Sequence, residues 1–190
     1  SYVAGVYYPD KTRVGWWKNG YPEYFAKVLN AANWIGIGVE FEGEELDLAE
    51  CEVRDFERIL DMREGHLTRR FRARLKSGKE VKVESRRFCS IAREEVGAIR
   101  YSITPLNFDG PITLRPYVDA DVTNEDANWD EKFWTEISRE TGHNEGYVVA
   151  ETKKTAFQVA TGMQFRVSLN GRPLELKTYL HEREKYVDCT

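Results

Sequence analysis

Cysteine is scarce in this sequence of 190 residues: Cys51, Cys89 and Cys189 are odd in number and show no C-x-x-C spacing. That signals neither a disulfide framework nor a zinc knuckle and favours a reducing compartment. His66, His143 and His181 lie far apart, with none at helical metal spacing, so no metal site is expected. No apolar run approaches the length of a membrane span. Charge of one sign is not in excess either, since 28 Lys and Arg stand against 32 Asp and Glu. This balance argues against a generally basic nucleic-acid binder. Ser1 to Tyr8 reads as a strand and is too short for a signal-peptide core with a cleavage site, so a cytoplasmic chain is expected. Low-complexity tracts, repeats and linkers are also missing. One domain over residues 1–190 follows, long enough to bury roughly 70% of its extended surface. A chain that opens in mid-strand and closes on Cys189 and Thr190, with no capping or loop signal, is expected to be part of something longer.

What the sequence has in abundance is period-two alternation, the mark of strands with one buried face. From Phe157 to Leu169 the odd positions are largely apolar and the even ones polar or small, predicting a long strand bent near Gly162. Asn170-Gly171 then gives a two-residue hairpin signal, with Pro173 to Leu180 as the return strand. Leu67 to Leu75 alternates into the turn Lys76-Ser77-Gly78-Lys79 and out through Val81 and Val83. Ile35, Ile37, Val39 and Phe41 lead into Glu42-Gly43-Glu44. Further strands are expected at Cys51 to Leu60, Val96 to Ile103, Ile112 to Asp119 and Tyr147 to Glu151. Trp129 to Thr141 and Tyr21 to Ala32 read as two short helices, the first capped by Asn128 or Asp126, the second with Pro22 in its first turn. The fold class expected is all-β: a large antiparallel β-sandwich with one or two short helices.

Charge is unevenly placed along the chain. Glu40 to Glu64 holds eleven acids and three Arg, whereas His66 to Arg93 holds seven Arg and three Lys against Glu80 and Glu84. A basic strand pair could grip phosphates. Adjacent solvent-facing strands that pair Glu with Arg across the ladder account for it better, because a nucleic-acid surface is poorly served by an equal opposite charge beside it. Trp16, Trp17, Trp34, Trp129 and Trp134 could stack on sugar faces; core or interface roles are the ordinary reading, with Trp34 in the core and Trp16-Trp17 at a surface or inter-domain contact.

No catalytic constellation emerges from residue chemistry. Asp61 with Glu64, Asp119 with Asp121 and Glu44 with Glu45 are carboxylate pairs without the cleft geometry that acid and base need. Asp119, Asp121, Asn124, Asp126 and Asn128 offer oxygen ligands but not an EF-hand spacing. Ser85, Ser90 and Cys89 lack a nucleophile elbow. Gly36-Ile37-Gly38 sits inside a strand, so it is not a dinucleotide loop.

Three collinear stretches carry a resemblance. Gly5 to Ile37 (GVYYPDKTRVGWWKNGYPEYFAKVLNAANWIGI), Leu60 to Phe71 (LDMREGHLTRRF) and Ile103 to Leu114 (ITPLNFDGPITL) resemble the N-terminal domain of family 65 glycoside hydrolases, most closely that of the maltose phosphorylases. The resemblance implies a large antiparallel β-sandwich that precedes an (α/α)6 barrel. In such enzymes the barrel holds the active site, with a Glu general acid and a phosphate site, and phosphate converts maltose to β-glucose 1-phosphate and glucose with inversion. The barrel would lie beyond Thr190, so no catalytic residue falls in this chain. The implied partners are the chain's own C-terminal barrel, a second copy in a homodimer and an α-linked glucose disaccharide, with inorganic phosphate as co-substrate and no cofactor, metal, nucleic acid or membrane. Val14 to Phe25 and Asp109 to Pro116 are the expected inter-domain contacts, with Trp16, Trp17 and Asp109 as their leading residues. Trehalose, kojibiose or nigerose phosphorylase is the alternative within the family, and a free-standing carbohydrate-binding module is the alternative outside it.

Overall fold

The computed structural model describes residues 1–190 apart from Val14, Trp16 and Leu176 and the side chain of Trp17. Its strands are, in chain order, β1 (Tyr2–Lys11), β2 (Tyr24–Asn30), β3 (Ile37–Phe41), β4 (Glu44–Glu45), β5 (Glu52–Asp61), β6 (His66–Arg74), β7 (Glu80–Cys89) and β8 (Gly97–Pro105). Then follow β9 (Ile112–Asp119), β10 (Trp134–Gly142), β11 (Glu145–Thr152), β12 (Gln158–Gln164), β13 (Ser168–Leu169), β14 (Arg172–Pro173), β15 (Leu180–Arg183) and β16 (Tyr186–Cys189). A single 3-10 turn, Trp17–Asn19, is the only helical element among the described residues. The fold class is therefore all-β and antiparallel, as the alternation predicts.

The chain forms two compact units, one of Ser1–Ile37 with Leu114–Thr190 and one of Gly38–Thr113. In the first, β1 pairs with β2, β11 lies between β10 and β12, and β16 joins β15 to β9. The inner faces meet in two clusters. Val6, Tyr8, Leu29 and Ala31 pack on Phe133, Trp134 and Ala150, and Ala32, Val118, Ala120, Val148 and Val187 pack together beside Met163. Val148 and Ala150 are alternate residues of β11, so one face of that sheet serves both clusters, which is sandwich packing. Tyr8 stacks on Phe133 at 4.1 Å between centroids, and its hydroxyl donates to Glu131 at 2.7 Å.

In the second unit β5, β6, β7 and β8 form a meander in sequential order. Phe71, Ala73, Val81 and Val83 are buried on one face, and Val39, Phe41 and Leu75 are buried in the same unit. Two of the hairpins follow directly from turn chemistry. Glu42-Gly43 and Asn170-Gly171 all take positive φ, 53° and 84° in the first and 51° and 80° in the second. Glycine occupies the second position of each at no steric cost.

Both expected helices are strands. Residues 24–30 alternate inward Phe25, Lys27 and Leu29 with outward Tyr24, Ala26 and Val28, and their backbone is spoken for by β1. In residues 134–142, Ile137 is an extra residue between the pairs Glu136–Ala150 and Ser138–Val149. Such a bulge resets the alternation and mimics helical spacing; Ile137 and Trp129, the ends of the apparent stripe, are exposed. The strand from Phe157 ends at Gln164, with Gly162 in regular register opposite Tyr147. The strand after Asn170-Gly171 is only Arg172–Pro173.

Candidate functional site

The acidic, Asn-rich loop of the first unit is a strap that ties down β1 and β2. Asp10 is fully buried and pairs with Lys27 at 2.8 Å, and the Asn128 N–H donates to the same oxygen, Oδ2, at 2.9 Å. Lys27 also donates to the Asp126 carbonyl. Asn124 accepts from the Asn30 N–H and donates to the Val28 carbonyl, and Asn128 and Trp129 both donate to the Lys11 carbonyl. Asp121 is held by Lys132 at 2.7 Å, a hydrogen bond that keeps its carboxyl below the usual range. The loop oxygens Asp121 Oδ1, Asn124 Oδ1 and the Asp126 carbonyl are thus engaged by backbone N–H and ammonium groups. Among the described residues no cluster of three His, Cys, Asp or Glu could ligate a metal. Gly36 lies under the Tyr117 ring, with a would-be Cβ 2.1 Å from its Cζ, so the Gly-x-Gly reflects packing.

Asn107, between Leu106 and Phe108, closes one end of the β5–β8 sheet. It accepts from the Glu80 N–H at 2.8 Å and donates to the Gly78 carbonyl at 3.0 Å, and Phe108 packs edge-on against Phe41. Asp109 is exposed in the loop that follows. At the opposite end Asp61 caps the β5–β6 turn, accepting from the Arg63 and Glu64 N–H groups at 3.0 Å each. Those bonds hold its carboxyl below the ordinary aspartate range.

Between the two ends the sheet presents unlike faces. Outward, Arg70 bridges Glu84 at 2.9 Å and Glu57 at 3.4 Å, and Arg72 reaches Asp55 at 3.4 Å. Arg74 lies 3.9 Å from Glu80, and Arg54 lies 2.6 Å from Glu52. Arg86 and Arg100, opposite each other on this face, stand in water. Inward, beyond buried Phe71, Arg58 lies directly opposite Arg69, and Arg87 sits one pair further along the same face, opposite Leu67. Among the described residues no carboxylate pairs with any of these three. Arg69 lies 5.4 Å over the Phe71 ring. Burial, then the charges of Arg58 and Arg69, push Arg87 below the ordinary guanidinium range. Burial also raises Tyr101, which is paired with Ser85 beside them.

One hollow of about 500 Å3 opens on the outer side of β10, β11 and β12 in the first unit. Glu140, Glu145, Tyr147 and Gln164 line it over the flat floor of Gly146 and Gly162. Tyr147 donates to Glu140 at 3.1 Å and Gln164 to Glu145 at 3.4 Å.

Comparison with known proteins places these surfaces. The family described as glycosyl hydrolase family 65, N-terminal domain, matches residues 1–188, through both units. The chain belongs to this family. It is 47% identical over 157 residues to a maltose phosphorylase of Bacillus subtilis (strain 168), a match covering 83% of the chain and 21% of that protein. A kojibiose phosphorylase of Caldanaerobacter subterraneus subsp. tengcongensis is 33% identical over 124 residues, covering 65% of the chain and 15% of that protein. A solved structure of a putative kojibiose phosphorylase from human microbiome superposes with a TM-score of 0.78 at 21% identity, over 98% of this chain and 23% of that one; it shows the shared fold. The chain thus spans about a fifth of the length of its first relative.

In this family 65 N-terminal domain the three signature stretches are structural: a strap anchor around Tyr8, Asp10 and Lys27, a capped turn at Asp61 and a sheet closure at Asn107. Trp16 and the Trp17 side chain lie outside the described residues. The carboxylate pairs are not joined into a cleft: Asp61 caps a turn, Asp121 binds lysines, and Glu44 accepts from the Ser77 N–H at 3.1 Å. What sequence reasoning missed is the inward arginine trio, hidden in a charge balance that counted Arg69 and Arg70 alike.

Proposed function

We propose that this chain is the non-catalytic N-terminal domain of an inverting disaccharide phosphorylase that splits maltose with phosphate into β-glucose 1-phosphate and glucose. The observation that carries the reading is the 47% identity over 157 residues to a maltose phosphorylase of which the chain spans 21%. Two kojibiose phosphorylases and an α,α-trehalose phosphorylase stand at 30–33%, and a third kojibiose phosphorylase at 22%, so maltose ranks first among the substrates. The single domain over residues 1–190 packs against a C-terminal catalytic barrel of a cytoplasmic parent enzyme and takes part in its homodimer. Inorganic phosphate is the parent's co-substrate. The test is phosphorolysis by the full-length gene product on maltose, kojibiose and trehalose, with glucose 1-phosphate as readout. Maltose is expected to be turned over fastest, and the 190 residues alone are expected to release none while keeping a β-type circular dichroism spectrum. Turnover by this piece at an enzymatic rate would overturn the reading.

A second reading, weak glucan binding by the domain itself, is favoured by the hollow over β10, β11 and β12. Its dimensions fall within the range of small-ligand clefts, and Tyr147 beside Glu140, Glu145 and Gln164 joins a ring face to hydroxyl-binding groups. Titration with maltodextrins should then saturate, and Tyr147→Ala should abolish it.

A further inference from the structure

Arg58, Arg69 and Arg87 cluster on the inner face of the sheet with no carboxylate partner among the described residues. Arg69 and Arg87 are half-buried on a face they share, by register, with Leu67, Ile99 and Tyr101, where a guanidinium without a counterion is costly. The strands' own acids cannot serve, because Glu52, Asp55, Glu57, Glu80 and Glu84 all point outward and are engaged there, and Asp61 is taken up by the N–H groups of its own turn. The same end of the sheet also leaves large apolar side chains in water. Phe56 and Leu60 are exposed on the inner face, and Met62 and Ile91 in the two adjoining turns are 86% and 93% exposed. An uncompensated positive cluster rimmed by exposed apolar groups is the composition of a protein contact rather than of a free surface.

We propose that this inner, turn-ward face of the β5–β8 sheet, centred on Arg58, Arg69 and Arg87, docks a carboxylate-bearing segment of the polypeptide that follows this domain in the parent enzyme. The inference rests on the reading of the chain as the N-terminal domain of a longer phosphorylase. Three features select that occupant. Charge complementarity requires an acidic partner. A small free anion would leave Phe56, Leu60, Met62 and Ile91 in water. A second copy of this face sets arginine against arginine, since Glu52, Asp55, Glu57, Glu80 and Glu84 pair on the opposite face of the sheet. The remaining four fifths of the length seen in the first relative supply chain enough to cover it, tethered at high effective concentration.

The experiment uses the full-length gene product carrying Arg69→Lys, or Arg87→Lys if the first misfolds, mixed with an isotope-labelled copy of itself. A zero-length carbodiimide reagent then joins the introduced amine to any carboxylate in contact, and mass spectrometry identifies the linked peptide. A link within one chain to an Asp or Glu beyond residue 190 is the result expected. Charge reversal by Arg58→Glu with Arg69→Glu should then speed hydrogen exchange along β8 by about tenfold, whereas Arg72→Glu on the other face should not. A link to residues 1–190 of a differently labelled copy, or no link at all, overturns the docking assignment. A gene product that yields no phosphorolysis of any of the three disaccharides overturns the underlying enzyme reading instead, so the two failures are told apart.

Discussion

Two faces of one four-stranded sheet carry the same residue type to opposite ends. Outward, Arg54, Arg70, Arg72 and Arg74 each meet a carboxylate; inward, Arg58, Arg69 and Arg87 meet none among the described residues. Neighbours in sequence can differ completely, since Arg69 and Arg70 are separated by one pleat and nothing else. A bulge sharpens the contrast. Between the pairs Arg54–Arg72 and Glu57–Arg70, β5 carries one residue more than β6, with Asp55 at a φ of 51°. Without it Arg54 and Arg58, four residues apart, would share a face; with it they part, one to a glutamate and one to an arginine. What the comparison teaches is that the outer face pairs four of its arginines with carboxylates of the domain and leaves Arg86 and Arg100 to water, whereas the inner face pairs none and half-buries Arg69 and Arg87.

The largest test removes the apolar half of the inner face. Phe71 is 2% exposed and stacks near Phe56, with 6.3 Å between centroids, so Phe71→Ala should lose about 3–5 kcal/mol in urea unfolding of the chain. A loss below ~1 kcal/mol would mean that this face is not core even at its centre. Smaller is the outer-face pairing. A double-mutant cycle between Arg70→Ala and Glu84→Ala should give a coupling of about 0.3–1 kcal/mol, because the pair, 2.9 Å apart, is 43% and 41% exposed. A coupling of zero would show that the outer face is merely solvated.

The turn beyond the trio is tested by pH. Asp61 has its carboxyl depressed, chiefly by the Glu64 N–H, so its stabilising contribution is full above the pKa of the unfolded chain and is lost as pH falls through the lower folded value. Asp61→Asn should therefore unfold more easily than the wild-type chain at pH 7, with the difference shrinking in acid below pH ~4. A difference independent of pH would assign the effect to shape instead of charge.

How much of this was legible depended on whether the cue was local. The Asn170-Gly171 and Glu42-Gly43 hairpins could be read because positive φ demands particular residues. The meander from Glu52 to Pro105 could be read because one face is apolar. The strand from Trp134 could not, since the bulge at Ile137 turns a two-residue period into a false helical one. Lys27 sits on the inward face of β2 because Asp10 and Asp126 meet it there, a long-range fact with no signature in residues 21–32. The arginine trio is long-range in the same way: it exists only once the register of β5, β6 and β7 is known, and segment charge sums cannot contain it.

The smallest effect is also the one that separates the faces by sign. Arg87 is pushed down by burial and by two neighbouring positive charges, so Arg87→Met removes a cost and keeps the apolar stem. In the chain without its partner it should be neutral or stabilising, by no more than ~0.5 kcal/mol. Added salt screens repulsion and attraction alike. Raising sodium chloride toward ~1 M should therefore shrink the advantage of Arg87→Met while weakening the Arg70–Glu84 coupling. If Arg87→Met destabilised the chain as much as Arg70→Ala does, a carboxylate of the domain itself would have to reach Arg87, and the inner face would balance its own charge after all.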